Sequence, residues 1–103
     1  MIPELAAKRA EIEALCRKLG VIRLDVFGSA ATGAFKPETS DLDFLVEFDD
    51  AATGTRFGGV YFDLKESLEE LFGRPVDLVT PSSIRNPYFH ESIERSRVQL
   101  YAA

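Results

Sequence analysis

Residues 24–48, LDVFGSAATGAFKPETSDLDFLVEF, decide the fold. This stretch overlaps two runs of strand character, 21–27 (VIRLDVF) and 42–48 (LDFLVEF), in which apolar side chains alternate with other types. Such alternation is typical of half-buried strands, whose successive side chains point to opposite faces of a sheet. We expect these apolar residues to face the core: Ile22, Leu24 and Val26 from the first run, and Leu42, Phe44, Val46 and Phe48 from the second.

The loop between these strands carries small residues at its start and carboxylates at its end. Gly28 and Ser29 directly follow the first strand, and Asp41 and Asp43 flank the first residue of the second. If the strands are antiparallel neighbours, the end of the first and the start of the second lie at the same edge of the sheet. The four residues are therefore predicted to meet there, with both aspartates on the face opposite the core.

A third carboxylate is predicted at the same edge. Residues 61–72 (YFDLKESLEELF) carry apolar side chains at helical spacing, and 76–80 (VDLVT) follow as a short strand. A strand, a helix of about three turns and another strand form a right-handed crossover between parallel strands, which start at the same edge. Asp77 is the polar member of the later strand and is expected to join the other aspartates.

The rest of the chain completes a single α+β domain over residues 1–103. Cys16 lies on an apolar helical stripe and is expected to fill the core, and Asn86 before Pro87 is typical of a helix N-cap. The other predicted elements are a helix over 3–19, a loop over 49–60, a helix over 87–96 and a fourth strand over 98–101. We expect a mixed sheet of about four strands, helices on one face and an open acidic face.

Composition limits the classes of protein to which the chain can belong. Its 103 residues match one domain, and 46% apolar residues can fill a single core. The net charge of −5 argues against binding of long nucleic acid, because that task needs clustered Lys and Arg. No apolar run is long enough to cross a bilayer, and the start, MIPELAAKRAEIEAL, lacks the pattern of a signal peptide. We expect a soluble cytoplasmic protein, with neither nucleic acid nor a membrane as a direct partner.

The clustered aspartates indicate a divalent cation. Three carboxylates at one edge would repel one another strongly without a cation, and oxygen ligands with no His or Cys nearby favour Mg²⁺ or Mn²⁺ over zinc. Gly28 has no side chain, so a phosphate can approach the backbone there, and the Ser29 hydroxyl and nearby amides can donate hydrogen bonds to it. A phosphate cradle beside a metal-binding triad is the apparatus of nucleotidyl transfer.

Other interpretations of these residues are weaker. Ser40 and Asp41 alone could cap a turn, and Gly-Ser pairs are common in loops, so the conjunction of all the parts carries the prediction. A phosphatase of the haloacid dehalogenase kind also has a DxD pair, but its apolar strand precedes the first aspartate, whereas here the strand follows it. An EF-hand loop would need further oxygen ligands and a glycine within Phe44, Leu45 and Val46.

The same residues resemble a known family. A Gly-Ser pair, an eleven-residue gap, an Asp-Leu-Asp triplet and a later Asp are similar to the signature of the DNA polymerase β-like nucleotidyltransferase superfamily. More narrowly, FGSAATG, SDLDFLVEF and GRPVDLVTPSSIRNPYFHESI resemble the minimal nucleotidyltransferase (MNT) antitoxins of the MntA type, over nearly the whole chain. The gap is one residue longer than is often seen, and Thr32 stands where relatives commonly have Arg.

The resemblance implies a function and a role for each residue. Members of the family pair with a HEPN-domain toxin, a small helical ribonuclease, and the better understood ones transfer AMP from ATP to a toxin tyrosine. It implies that Gly28 and Ser29 hold the triphosphate, and that Asp41 and Asp43 bind both metal ions. Asp77 would bind the catalytic metal ion and help to activate the acceptor hydroxyl. The chain is thus expected to be a Mg²⁺- or Mn²⁺-dependent protein adenylyltransferase that forms a hetero-oligomer with its toxin.

Two alternative functions share most of these features. A non-catalytic antitoxin would inhibit the toxin by covering it, and would have no use for the aspartates. A nucleotidyltransferase acting on a small molecule would use the same site, but such enzymes usually carry a second domain for the acceptor, for which 103 residues leave no room.

Overall fold

The computed structural model describes residues 1–50 and 57–103. Its elements, in chain order, are α1 (Pro3–Ala7), α2 (Arg9–Lys18), β1 (Val21–Phe27), α3 (Ser29–Thr32), β2 (Leu42–Phe48), α4 (Phe57–Phe72), β3 (Val76–Val79), a 3₁₀ turn (Pro81–Ser83), α5 (Pro87–Ser96) and β4 (Val98–Ala102). The predicted bounds of β1, β2 and α5 are confirmed, as is the helix cap, because Asn86 Oδ1 accepts a hydrogen bond from Tyr88 N at 2.8 Å. Within the part of the chain described, the helices are all too short or too polar to cross a membrane.

The four strands form one mixed sheet in the order β3-β2-β1-β4. Strand β1 is antiparallel to both β2 and β4, whereas β2 and β3 are parallel. These pairings are the ones that the sequence predicts for the first three strands. They place the end of β1 and the starts of β2 and β3 at one edge of the sheet, which we call the acidic edge because Asp41, Asp43 and Asp77 lie there.

Two helix boundaries differ from the prediction. Helix α4 begins at Phe57, so the loop expected over 49–60 is wrong for its last four residues, while 51–56 lie outside the described residues. Burial of Val60 in the core outweighs the low helix propensity of the two glycines that precede it. The predicted first helix, over 3–19, is interrupted at Lys8, whose φ of −107° and ψ of 18° separate α1 from α2.

A bulge in β1 changes which of its residues reach the core. Val21 pairs with Phe48 and Arg23 with Glu47, so two steps along β1 match one step along β2. An extra residue of this kind shifts the alternation of side chains between the two faces. Val21 is therefore buried, and the prediction that Ile22 faces the core is wrong, since it is 44% exposed.

The main core lies between one face of the sheet and helices α1, α2 and α4. Phe44, at the centre of β2, is fully buried and its ring packs against that of Phe72 at the end of α4. Cys16 is also fully buried here, and burial raises the pKa of its thiol to about 12, as expected for core filler. The remaining β2 residues predicted to face the core, Leu42, Val46 and Phe48, do so.

A second, smaller core lies on the opposite face of the sheet, under α5. It consists of Phe27, Leu45 and Ile93, with Val79 and Ile84 packed against it. The fold class, a small α+β domain with a four-stranded mixed sheet, is thus confirmed. The expectation that helices cover one face only and leave the acidic face open is wrong for α5, because burial of Ile93 against Phe27 and Leu45 docks this helix on part of the face that carries the aspartates.

Candidate active site

The strand register brings the predicted carboxylates together. Asp43 lies opposite Phe27, the last residue of β1, and beside Asp77, its partner in the parallel ladder of β2 and β3. Asp41 precedes β2 by one residue and is exposed. All three aspartates thus lie at the acidic edge, next to the turn at Gly28 and Ser29.

Backbone geometry favours glycine at position 28, and the Asp43 carboxylate occupies the space that a side chain would take. Its φ of 71° lies in the left-handed region, and a Cβ atom added there would stand 2.6 Å from Asp43 Oδ2. The sequence predicted that a missing side chain admits a phosphate. The structure shows a second reason, since the absence of a Cβ lets the Asp43 carboxylate lie directly against the backbone turn.

The charges of the three aspartates act on one another. Burial, followed by the charges of Asp77 and Asp41, raises the pKa of Asp43 to about 6. A carboxyl with this pKa is half-protonated about one unit below neutral pH, so its ionised form at pH 7 is disfavoured first by burial and then by repulsion from the two neighbouring carboxylates. Repulsion of this kind is what a bound cation would relieve.

The donor set fits a hard divalent cation in its chemistry. The three side chains offer carboxylate oxygens only, which Mg²⁺ and Mn²⁺ prefer. Among the described residues, however, no group of three His, Cys, Asp or Glu side chains converges closely enough to hold a metal ion. The role of the three aspartates as metal ligands therefore stays a prediction.

The turn at Gly28 and Ser29 is tied to the C-terminal end of α5. Gly28 N donates a hydrogen bond to Ser96 Oγ at 3.0 Å, and Ser96 Oγ donates in turn to Ser92 O at 3.2 Å. The Gly28 carbonyl accepts from the amides of Ala31 and Thr32, which closes the single turn of α3. The Gly28 amide is thus engaged within the protein, while Ser29 N and Ala30 N, in the first turn of α3, have no partner inside that helix.

Asp25 is a buried charged residue that the sequence pattern did not predict. Its side chain is fully buried on the second face, where Arg97 Nε donates to Oδ2 at 2.6 Å and Arg23 Nε to Oδ1 at 3.0 Å. Arg97 directly follows α5 and also pairs with Glu94. The ion pair between Arg97 and Asp25 joins the end of α5 to the centre of the sheet. In the sequence, the only indication of this ion pair is an aspartate inside an apolar strand.

Arg74 is a second missed residue, and it holds the loop that leads to the aspartates. Its guanidinium lies 4.7 Å above the ring centre of Phe35, and its Nη1 donates to the Pro37 carbonyl at 3.1 Å. Next along the chain, the Pro75 carbonyl accepts from Leu42 N at 3.2 Å. These contacts fasten the long loop before Asp41 to the start of β3.

Comparison with known proteins identifies the family. The family model of the nucleotidyltransferase domain matches residues 9–100 of this chain. A protein of Methanocaldococcus jannaschii named "Putative protein adenylyltransferase MJ1379" is 39% identical over 96% of this chain and 94% of its own length. Protein adenylyltransferase MntA of Thermococcus cleftensis is 39% identical over 80% of this chain and 75% of its own length.

Solved structures share the fold. A "putative minimal nucleotidyltransferase" superposes with a TM-score of 0.73 and 36% identity, over 91% of this chain and 90% of that one. A chain from the complex of tri-AMPylated HEPN toxin with MNT antitoxin, from Shewanella oneidensis, gives a TM-score of 0.61 at 18% identity, over 96% and 73% of the two chains. At that identity the likeness concerns the fold alone. The family model matches most of the chain, and two relatives are 39% identical to it. The protein is therefore a nucleotidyltransferase and belongs to the family defined by this domain.

Proposed function

We propose that the chain is the antitoxin of a toxin–antitoxin pair and transfers AMP from ATP to a tyrosine hydroxyl of a HEPN-domain toxin in the cytoplasm. The observation that carries the proposal is the acidic edge, where Asp43 and Asp77 are register partners beside a glycine turn. Relatives at 39% identity named protein adenylyltransferases support AMP as the transferred group. The solved complex of a HEPN toxin with an MNT antitoxin supports the partner, with which we expect a hetero-oligomer.

Each residue of the edge has a part in this reaction. The toxin tyrosine oxygen forms a bond to the α-phosphorus of ATP, the bond from that phosphorus to the bridging oxygen breaks, and diphosphate leaves. Asp77 accepts the hydroxyl proton, while the Ser29 hydroxyl and the amides of Ser29 and Ala30, beside the Gly28 turn, hold the triphosphate in line for the attack. Asp41, Asp43 and Asp77 would hold Mg²⁺, which neutralises charge on the phosphates and on the departing diphosphate.

Intact-mass measurement of the co-expressed toxin tests the proposal. With the unchanged chain, we expect the toxin to gain one or more AMP units on tyrosine and the cells to grow. Asp41→Asn or Asp43→Asn should abolish the added mass and the rescue of growth, because the metal ligands are lost. Asp63→Asn is the matched control, since it changes an exposed aspartate of α4 that belongs to the far face of the sheet.

Two results would contradict the proposal and point to the alternatives. A toxin of unchanged mass that is still neutralised by both aspartate variants would show an antitoxin that acts by covering the toxin. AMP found on a small hydroxyl compound, with none on the toxin, would show a nucleotidyltransferase with a small-molecule acceptor.

A further inference from the structure

A cavity adjoins the glycine turn on the side of α5. It has a volume of about 350 Å³ and is lined by Thr32, Tyr88, Glu91, Ser92, Arg95 and Ser96. The hydrogen bond from Gly28 N to Ser96 Oγ fixes this wall against the turn, and Thr32 is the last residue of the helix that Ser29 begins. Any phosphate chain held at Gly28 and Ser29 therefore has the cavity as its neighbour.

Arg95 is the cation that lines this cavity. Its side chain is 76% exposed, and its partner is Glu91, one turn earlier on the same helix, with Nη2 and Oε1 2.5 Å apart. An exposed pair of this kind contributes little to stability, so the guanidinium can turn to another anion at low cost. Arg97, two residues later, differs because the buried Asp25 already holds it.

We infer that Arg95 binds the terminal phosphates of ATP, and that Glu91 occupies the guanidinium when no nucleotide is bound. This inference rests on the proposed function, since it assumes that the triphosphate lies at the Gly28 turn. Guanidinium groups match phosphate oxygens with paired, charge-assisted hydrogen bonds. Thr32 lines the same cavity and brings no charge, so Arg95 supplies the positive group that this end of a triphosphate requires.

The inference predicts opposite effects on ATP binding when Arg95 and Glu91 are replaced. If the ion pair were only structural, removing either partner would have the same effect on nucleotide binding. If Arg95 binds phosphate, Glu91 competes with ATP for it. Arg95→Ala should then weaken ATP binding, whereas Glu91→Gln should strengthen it.

Calorimetric titration of the full chain with Mg²⁺-ATP and with AMP tests these opposite changes in affinity. We expect Arg95→Ala to weaken ATP binding about tenfold, because it removes a charged hydrogen bond, and to leave AMP binding unchanged. Glu91→Gln should tighten ATP binding about twofold. Arg17→Ala is the matched control, since Arg17 forms a similar exposed pair with Glu13 on α2, at 3.3 Å. Thr32→Arg added to Arg95→Ala should restore ATP binding by placing a cation in the same cavity.

The possible results are distinguishable. Equal loss in the Arg95 and Glu91 variants, or an Arg95 variant that binds ATP like the Arg17 control, would overturn the role of Arg95 and leave the proposed function intact. Equal weakening of ATP and AMP binding by Arg95→Ala would also overturn it. An unchanged chain that binds no Mg²⁺-ATP would overturn the proposed function, and the inference with it.

Discussion

The two faces of the sheet bury different kinds of group. The main face packs aliphatic and aromatic side chains against three helices. Phe44 lies at the centre of this face and is fully buried. The second face carries a three-residue apolar core, a fully buried carboxylate at Asp25 and a row of aspartates at its edge. Side chains of the same two strands, one residue apart, therefore have opposite environments.

The difference teaches where the stability and where the chemistry of this fold reside. Burial of apolar area stabilises the main face and needs no particular partner. On the second face, each buried polar group needs a specific neighbour, because an unpaired charge or amide in a low-dielectric site is costly. Asp25 has its two arginines and Gly28 N has Ser96, whereas the aspartates of the edge repel one another. This repulsion is what suits them to bind a cation.

The largest effect is expected where a buried charge loses its partner. Arg97→Met should lower the free energy of unfolding by about 2–4 kcal/mol, since it leaves Asp25 buried with only Arg23 beside it. Urea unfolding followed by circular dichroism measures the change. Arg95→Met, at an exposed pair two residues earlier, should change it by less than about 0.5 kcal/mol. Equal costs for the two variants would show that the second face depends on its apolar core alone.

A smaller effect is expected at the glycine turn. Gly28→Ala should cost about 2–3 kcal/mol, because its φ of 71° and ψ of −149° form a combination that residues with a Cβ avoid, and because the Asp43 carboxylate has to turn away. Gly33→Ala is the matched control: its φ is 88° but an added Cβ would meet nothing within 4 Å, so about 1 kcal/mol of strain remains. Thermal unfolding and Mg²⁺-ATP titration measure both. If the two variants were equally stable, neither the backbone conformation of Gly28 nor the approach of Asp43 would require glycine at this turn.

The smallest effect is a gain of stability that depends on pH. The pKa of Asp43 is raised to about 6 in the folded chain, so between its ordinary value and pH 6 the folded state binds more protons than the unfolded state. Stability of the metal-free chain therefore falls as the pH rises through this window and stays lowered above it. Asp43→Asn should restore of the order of 1 kcal/mol at pH 7.5, since water partly screens this partly exposed group, and nothing near pH 4.

Melting curves across this pH range, with and without Mg²⁺, test the last expectation. Millimolar Mg²⁺ should raise the melting temperature of the unchanged chain above pH 6 and have little effect on Asp43→Asn. A loss of stability in Asp43→Asn at pH 7.5 would mean that the carboxylate supports the fold.

Local pattern was enough to predict the pairing of β1, β2 and β3 and the acidic edge. Alternation in 42–48 placed Asp43 and Phe44 on opposite faces of the sheet. The helix between the second and third strands implied the parallel pairing that aligns Asp43 with Asp77. The failure at Ile22 has a local cause as well, since a bulge adds one residue to β1 and leaves no mark in the composition of VIRLDVF.

The contacts that shape the surroundings of the edge join residues far apart in the chain. Gly28 and Ser96 are 68 residues apart, and Asp25 and Arg97 are 72 apart. No periodicity relates such positions, so only the docking of α5 on the second face decided that Arg97 is buried with Asp25 and that Arg95 lines a cavity. The sequence by itself determined the strands, the faces of β2 and the placement of the three aspartates, because backbone alternation is a local property wherever no bulge interrupts it. The tertiary structure alone decided which charges are paired, because pairing depends on how the last helix packs.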